Sequence, residues 1–167
     1  MNIRLLEPSD AATYRAVRLR GLEEFPTAFT SSHEEEAARP IEWYAERLAG
    51  ANTRFWGAFE DGELCGLVGI EREQKPKNRH KALVIGMYVA SERTGRGIGR
   101  ALVDALVAHA RQDGVELLVL TVTEGNRSAE ALYERSGFRL FGVEPKAVKV
   151  GGRAYDKKHM YLELAPS

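Results

Sequence analysis

The sequence predicts an α/β fold, closer to α+β. A central mixed, mostly antiparallel sheet of six to seven strands is flanked by about four helices. Three observations predict it. Asp61-Gly62 lies between two apolar-rich runs, 54–60 and 63–72, and is the strongest short hairpin signal in the chain, so those strands pair antiparallel. The order strand, helix, strand from Ala82 to Val122 makes the outer two parallel neighbours through a right-handed crossover. The length, 167 residues, suits a single domain over residues 1–167 with a core of its own.

Taken in order, Ile3 to Glu7 reads as a short strand, and Pro8-Ser9-Asp10 supplies an N-cap for a helix reaching about Phe25. Tyr14, Val17, Gly21 and Leu22 share one face of that helix. The run Pro26 to Ser32 breaks the chain, three glutamates follow (Glu34, Glu35, Glu36), and Pro40 starts a second helix that ends at Gly50. The glutamates read as a solvated helix start rather than a grip on a cationic substrate. Phe29 and Trp43 read first as packing residues. The hairpin strands Arg54 to Glu60 and Glu63 to Arg72 contain Cys65, the lone cysteine, expected to be an inert buried side chain. Lys75 to Lys81 holds five basic residues, counting His80, with no aromatic residue between them to stack on bases, so it reads as a solvated loop and not a nucleic-acid surface.

Ala82 to Val89 is too apolar for an edge strand, and Gly86 inside it marks a bulge or a close backbone approach. The next helix, Ile98 to Asp113, buries Leu102, Ala105, Leu106 and a packed His109 before stopping at Gly114. A buried strand, Glu116 to Val122, follows. Asn126 then caps a helix on which Ala129, Leu132, Tyr133 and Ser136 share a face and which Gly137 ends. Phe138 to Val143 and Lys158 to Leu164 close the sheet as antiparallel strands, joined by a long excursion containing the Gly151-Gly152 turn.

Lys plus Arg and Asp plus Glu number 24 each, so no global charge steers the chain to nucleic acid or a membrane. With no run of eighteen apolar residues and no apolar leader after Met1-Asn2-Ile3-Arg4, a cytoplasmic protein is expected.

The most informative stretch is Gly95-Arg96-Gly97-Ile98-Gly99-Arg100, which follows a strand and opens a helix. Such a loop lets backbone pass close to a ligand and offers unpaired helix N–H groups to a pyrophosphate. A P-loop is excluded because Arg100-Ala101 stands where Gly-Lys-Ser/Thr is needed. The dinucleotide fingerprint fails because Ala90 to Thr94 separate strand from loop and its third glycine would fall on Arg100. The stretch resembles the acyl-CoA-binding motif of the Gcn5-related N-acetyltransferase (GNAT) superfamily, Gln/Arg-x-x-Gly-x-Gly/Ala, with Thr94 departing from the Gln/Arg position. The run Asn126-x-x-Ala129-x-x-Leu132-Tyr133-x-x-x-Gly137-Phe138 is similar to that superfamily's second motif.

The resemblance implies a splayed parallel strand pair and acetyl-CoA as co-substrate, with no metal. Met87, Tyr88 and Val89 would line the pantetheine arm through their backbones, Met87 holding the thioester oxygen. Thr94, Gly95, Arg96, Gly97, Ile98, Gly99 and Arg100 would cradle the pyrophosphate. Asn126 would contact the cofactor, and the Tyr133 hydroxyl would face the thioester sulfur. The helix-loop-helix carrying Phe29, and the excursion carrying Tyr155 and Asp156, would border the acceptor. Members of the superfamily often form homodimers, though nothing in this sequence requires one.

Acetyl transfer to an amine needs a deprotonated nucleophile, a polarised carbonyl and a proton for the leaving thiolate. Bulge amides answer the second need and Tyr133 the third. The strand Ala82 to Val89 carries no carboxylate, which leaves Glu71, and beside it Glu73, as the nearest candidate bases, with water as a relay. The expected activity is direct N-acetylation of a primary amine on a small molecule or peptide, without an acyl-enzyme. The alternatives are a protein N-terminal or ribosomal acetyltransferase and a non-catalytic acyl-CoA-binding module.

Overall fold

A computed structural model describes residues 1–165. The elements run β1 (Asn2–Leu5), α1 (Ala11–Glu24), α2 (His33–Ala37), α3 (Ile41–Ala49), β2 (Thr53–Glu60), β3 (Glu63–Arg72), β4 (Lys81–Val89), α4 (Ile98–Gln112), β5 (Leu117–Thr123), α5 (Arg127–Arg135), β6 (Arg139–Val150) and β7 (Arg153–Glu163). One seven-stranded sheet has the order β1-β2-β3-β4-β5-β7-β6, and β4 with β5 is its parallel pair. The mixed, mostly antiparallel sheet is therefore as the sequence predicts. One helix is added, α2, because Ser32 and Glu35 form a capping box: the Ser32 hydroxyl accepts from the Glu35 N–H at 3.1 Å and the Glu35 carboxylate accepts from the Ser32 N–H at 3.0 Å.

Two local expectations need correction. Asp10 does not cap α1. Its carboxylate turns back to the Glu7 N–H at 2.7 Å and to the Arg4 guanidinium at 2.9 Å, closing a 3-10 turn over Pro8–Asp10. The excursion between the closing strands is also absent, since β6 and β7 continue as one long hairpin with Gly151-Gly152 at its tip. Val148, Val150 and Tyr155 favour extended backbone, and Pro145 is tolerated because β6 is an edge strand that bulges there. The bulge is held by the Lys146 N–H donating to the Asp156 carboxylate at 2.9 Å.

The core lies on both faces of the sheet. Val68 and Ile70 of β3 join a cluster with Leu102, Leu106 and Leu118, while Leu67 packs the other way with Tyr14, Tyr44 and Phe55. This alternation is the period-two burial of a strand covered on both sides. α4 and α5 contribute to the first cluster, and α1 and α3 to the second.

The feature that matters for function is at β4. It pairs with β5 only over Lys81–Leu83 against Leu117–Val119, and from Val84 onward the two strands diverge. On the other side the register with β3 jumps from Gly69 opposite Ile85 to Leu67 opposite Tyr88, leaving Gly86 and Met87 as a bulge. Gly86 has φ +64°, and a Cβ there would stand 3.3 Å from the Phe55 ring. The glycine is required both by backbone conformation and by space.

Candidate active site

Where β4 and β5 separate, two cavities open and meet. The outer one, about 290 Å³, has the β4 residues Met87, Tyr88 and Val89 on one side and the loop from Thr94 to Arg100 on the other. The inner one, about 280 Å³, reaches from Val84 and Gly86 to Thr121 and Tyr133. Ala28, Phe29, Met87, Asn126 and Ala129 line both, so the two cavities join beside the bulge.

The loop is built for close approach. Gly97 is the N-cap of α4 with φ +79°, and a Cβ on Gly95 or Gly97 would meet nothing within 4 Å. Their lack of side chains leaves open space beside the helix N-terminus, where unpaired N–H groups and the helix dipole favour an anion. Gly99 is a glycine for another reason: a Cβ there would lie 3.0 Å from Leu132 Cδ2, so it sets the approach of α4 to α5.

Charge around the loop is more balanced than the run of arginines suggests. Arg93 donates to Glu60 at 2.6 Å and to Glu63 at 3.3 Å, Arg96 donates to the same Glu60 at 3.1 Å, and Arg100 donates to Asp104 at 2.9 Å. Arg96 does not line the outer cavity. The Thr94 hydroxyl donates to the Ser91 carbonyl at 2.9 Å, which closes the 3-10 turn before the loop and commits that side chain locally. Backbone, more than side-chain charge, is therefore what the loop has to offer an anion.

The Tyr88 side chain is likewise committed to protein partners. Its hydroxyl donates to Glu24 at 2.9 Å and its ring covers Gly21, whose Cβ would come within 3.0 Å of it, so the side chain ties α1 to β4. Asn126 caps α5 by accepting from the Ala129 N–H at 3.3 Å and lines both cavities, its amide N–H groups donating to no described residue. Tyr133 is buried edge-on to Phe138, lines the inner cavity, and gives its hydroxyl no hydrogen-bond partner among the described residues. Burial pushes the Tyr133 phenol above its ordinary value, so it stays protonated throughout the neutral range.

The remaining predicted site residues are dispersed. Phe29 lines both cavities, with the Arg18 guanidinium 4.9 Å from its ring centre. Glu71 is exposed on β3 opposite Leu83, and neither it nor Glu73 lines the inner cavity, so the geometry gives a base role for Glu71 no support. Tyr155 lies on β7 beneath the Arg153 guanidinium at 4.5 Å and lines neither cavity, while Asp156 is committed to the β6 bulge. Cys65 is buried, its thiol donates to the Ala58 carbonyl at 3.3 Å, and burial raises its pKa, so it is not a nucleophile. His109 packs edge-on to Trp56, away from both cavities.

Sequence reasoning missed the inner cavity's cations. Arg18 from α1, Arg47 from α3 and Lys157 from β7 all reach it. Arg18 forms a buried bidentate pair with Glu36, at 2.9 and 2.8 Å. Burial works to raise the Glu36 carboxyl, but the Arg18 hydrogen bonds and charge outweigh it and hold the pKa below the ordinary carboxylate value. Glu36 is therefore not part of a solvated helix start. The available signal was Arg18 itself, four residues after Tyr14 and four before Leu22, a charge within the apolar stripe of α1.

Comparison with known proteins agrees with this architecture. Over 81 residues the chain is 33% identical to the L-methionine sulfoximine/L-methionine sulfone acetyltransferase of Pseudomonas aeruginosa, covering 48% of this chain and 47% of that protein. Over 110 residues it is 34% identical to the N-alpha-acetyltransferase RimI of Mycobacterium tuberculosis, covering 65% and 66%. The chain thus spans about half the length of the first relative and nearly two thirds of the second. Among solved structures, yncA from Salmonella typhimurium, determined with its cofactor acetyl-CoA, superposes with a TM-score of 0.83 at 21% identity, over all of this chain and 95% of that one. At that identity the likeness is one of fold. The sequence model of the Acetyltransferase (GNAT) family matches residues 19–138, most of the chain, from the latter part of α1 through α5. By that match, over a sheet whose parallel strands β4 and β5 part after Leu83, the chain belongs to the GNAT acetyltransferase family.

Proposed function

We propose that this protein is an acetyl-CoA-dependent N-acetyltransferase that passes acetyl directly to a primary amine of a small molecule or peptide. The observation that carries the reading is the junction of two cavities at the Gly86–Met87 bulge, with the unpartnered Tyr133 hydroxyl beside it. The outer cavity takes the CoA portion. Its pyrophosphate lies on the Gly95 to Gly99 backbone, and its pantetheine arm runs along the edge of Met87, Tyr88 and Val89 that β5 leaves unpaired. Asn126 contacts the arm from the opposite wall. The inner cavity takes the acceptor.

In the reaction the amine lone pair attacks the thioester carbonyl carbon, a backbone amide of the bulge holds the developing oxyanion, the C–N bond forms, and the C–S bond breaks. The departing thiolate takes the Tyr133 proton, and Tyr133 regains one from solvent. Since no carboxylate or imidazole lines the inner cavity, the amine reacts in its neutral form and its surplus proton leaves through water. The narrow inner cavity favours a small acceptor over a folded protein terminus. Use of acetyl-CoA fits a cytoplasmic site of action.

Isothermal titration with CoA and acetyl-CoA, beside NAD and ATP, tests the reading, followed by an amine screen for release of free thiol. Binding confined to the CoA ligands, with thiol released on addition of an amine, is the expected result. Binding of NAD or ATP in place of CoA refutes the cofactor assignment. Tight CoA binding without transfer to any amine identifies a non-catalytic binding module instead.

A further inference from the structure

The inner cavity carries a charge pattern that acetyl transfer alone does not use. Arg18, Arg47 and Lys157 line it, and no aspartate or glutamate does. Arg18 is only 8% exposed, and Glu36 holds its Nε and Nη2. Its remaining nitrogen, Nη1, donates to no described residue and lies 3.6 Å from where a Cβ on Gly86 would stand, so it faces the bulge. Arg47 is fixed without a carboxylate. Its Nε donates to the Tyr14 hydroxyl at 3.2 Å, and its guanidinium lies 4.9 Å from the Trp43 ring centre and 5.2 Å from that of Phe55. The Nη atoms of Arg47 have no hydrogen-bond partner among the described residues. Lys157 donates to the Thr30 hydroxyl at 2.9 Å and has no acidic partner among them. Glu36 offsets one of the three cations, which leaves two without a counter-charge.

Cations held half-buried without counter-charges cost solvation free energy, and an anionic ligand returns it. A guanidinium set between aromatic rings is pre-oriented, and its free edge matches the two oxygens of a carboxylate. A polyamine or other purely cationic acceptor would instead meet only like charge among the charged side chains of the cavity. We infer that the acceptor is an amino acid with a free carboxylate, which Arg47 and the free Nη1 of Arg18 anchor while the amine is aimed at the Met87–Tyr133 junction. Arg47 is then a specificity-determining residue. The inference rests on the acetyl-transfer reading of the same site.

The test pairs each standard L-amino acid with its own carboxamide and its decarboxylated amine, using CoA-saturated protein for binding and acetyl-CoA for turnover. Binding is read by thermal shift and calorimetry, and turnover by thiol release. At least one amino acid should exceed both of its neutral-ended analogues by roughly 30-fold or more in kcat/KM, because each analogue leaves a buried cation unpaired. Arg47→Gln should raise the KM for that amino acid by a similar factor while leaving the KM for acetyl-CoA within about twofold. Lys157→Gln, at a half-buried position on β7, gives an independent second variant with the same direction. Equal or better binding or turnover of the amides or amines overturns the inference, as does failure of every amino acid to bind the CoA complex. A carboxylate preference in binding without thiol release refutes the transfer reading and leaves the carboxylate site standing.

Discussion

Tyr133→Phe separates a working hydroxyl from a packed ring, because the two roles predict opposite patterns. The ring contact with Phe138, at 5.7 Å between centres, survives the substitution, and no hydrogen bond to a described residue is lost. Folding stability should therefore stay within about 1 kcal/mol of the parent, a shift of roughly 2–4 °C in Tm for a chain of this size. Tyr44→Phe serves as the control. The Tyr44 hydroxyl donates to the Glu36 carbonyl at 2.5 Å in the core, and removing it takes away one of that carbonyl's hydrogen bonds while the Arg39 N–H at 3.0 Å remains, at a cost of about 0.5–1.5 kcal/mol. For the reaction, losing a general acid should lower kcat by about 10²-fold or more, equivalent to ~2.7 kcal/mol of barrier. CoA affinity should change little. Thiol-release kinetics, calorimetry with CoA and thermal melts on both variants provide the comparison. A Tyr133→Phe enzyme with unchanged kcat, or one whose rate loss tracks an equal loss of CoA affinity or of stability, refutes the acid role.

Four further outcomes follow from the geometry. Gly97→Ala places a Cβ at φ +79° in space with no protein atom within 4 Å, so the fold should lose only about 1–2 kcal/mol while CoA affinity drops tenfold or more by titration. Gly99→Ala meets Leu132 at 3.0 Å and should lose about 1–3 kcal/mol in denaturant melts, a packing effect between α4 and α5. The Glu36 carboxyl is held below 4.5 in the folded state, so its stabilisation is complete above that pH and disappears as pH falls through the depressed folded value. Glu36→Gln should flatten the acid limb of the stability profile and, near neutrality, leave Arg18 unpaired at a cost of about 3–5 kcal/mol. Finally, kcat/KM should rise with pH along the ionisation of the acceptor amine itself. A separate inflection between about pH 5 and 8 that stays fixed as the amine is varied would reveal an enzyme base and contradict the solvent route.

What the sequence determined by itself is the local chemistry of short segments. Asp61-Gly62 fixed the β2–β3 hairpin, Gly86 announced the bulge, and Asn126 and Gly97 marked the starts of α5 and α4, because turns, caps and positive φ depend on one or two adjacent residues. The segments Thr94 to Arg100 and Asn126 to Leu132, which wall the outer cavity, were legible as motifs for the same reason: they are contiguous. Only the tertiary structure decided the inner cavity. Arg18, Glu36, Arg47 and Lys157 come from four separate elements, and their meeting depends on how α1 and α3 settle over the bulged strand. The field around the loop also depended on distant partners, since Glu60 and Asp104 absorb arginines that look free in the sequence. Glu71 lies away from the inner cavity for a related reason. Its position along β3 sets it opposite Leu83, four residues short of Met87 on β4, and at about 3.3 Å per residue that is about 13 Å of strand. Sequence patterns report which face a residue takes, but the distance between sites on different elements is set by sheet register and helix packing, which no local pattern encodes.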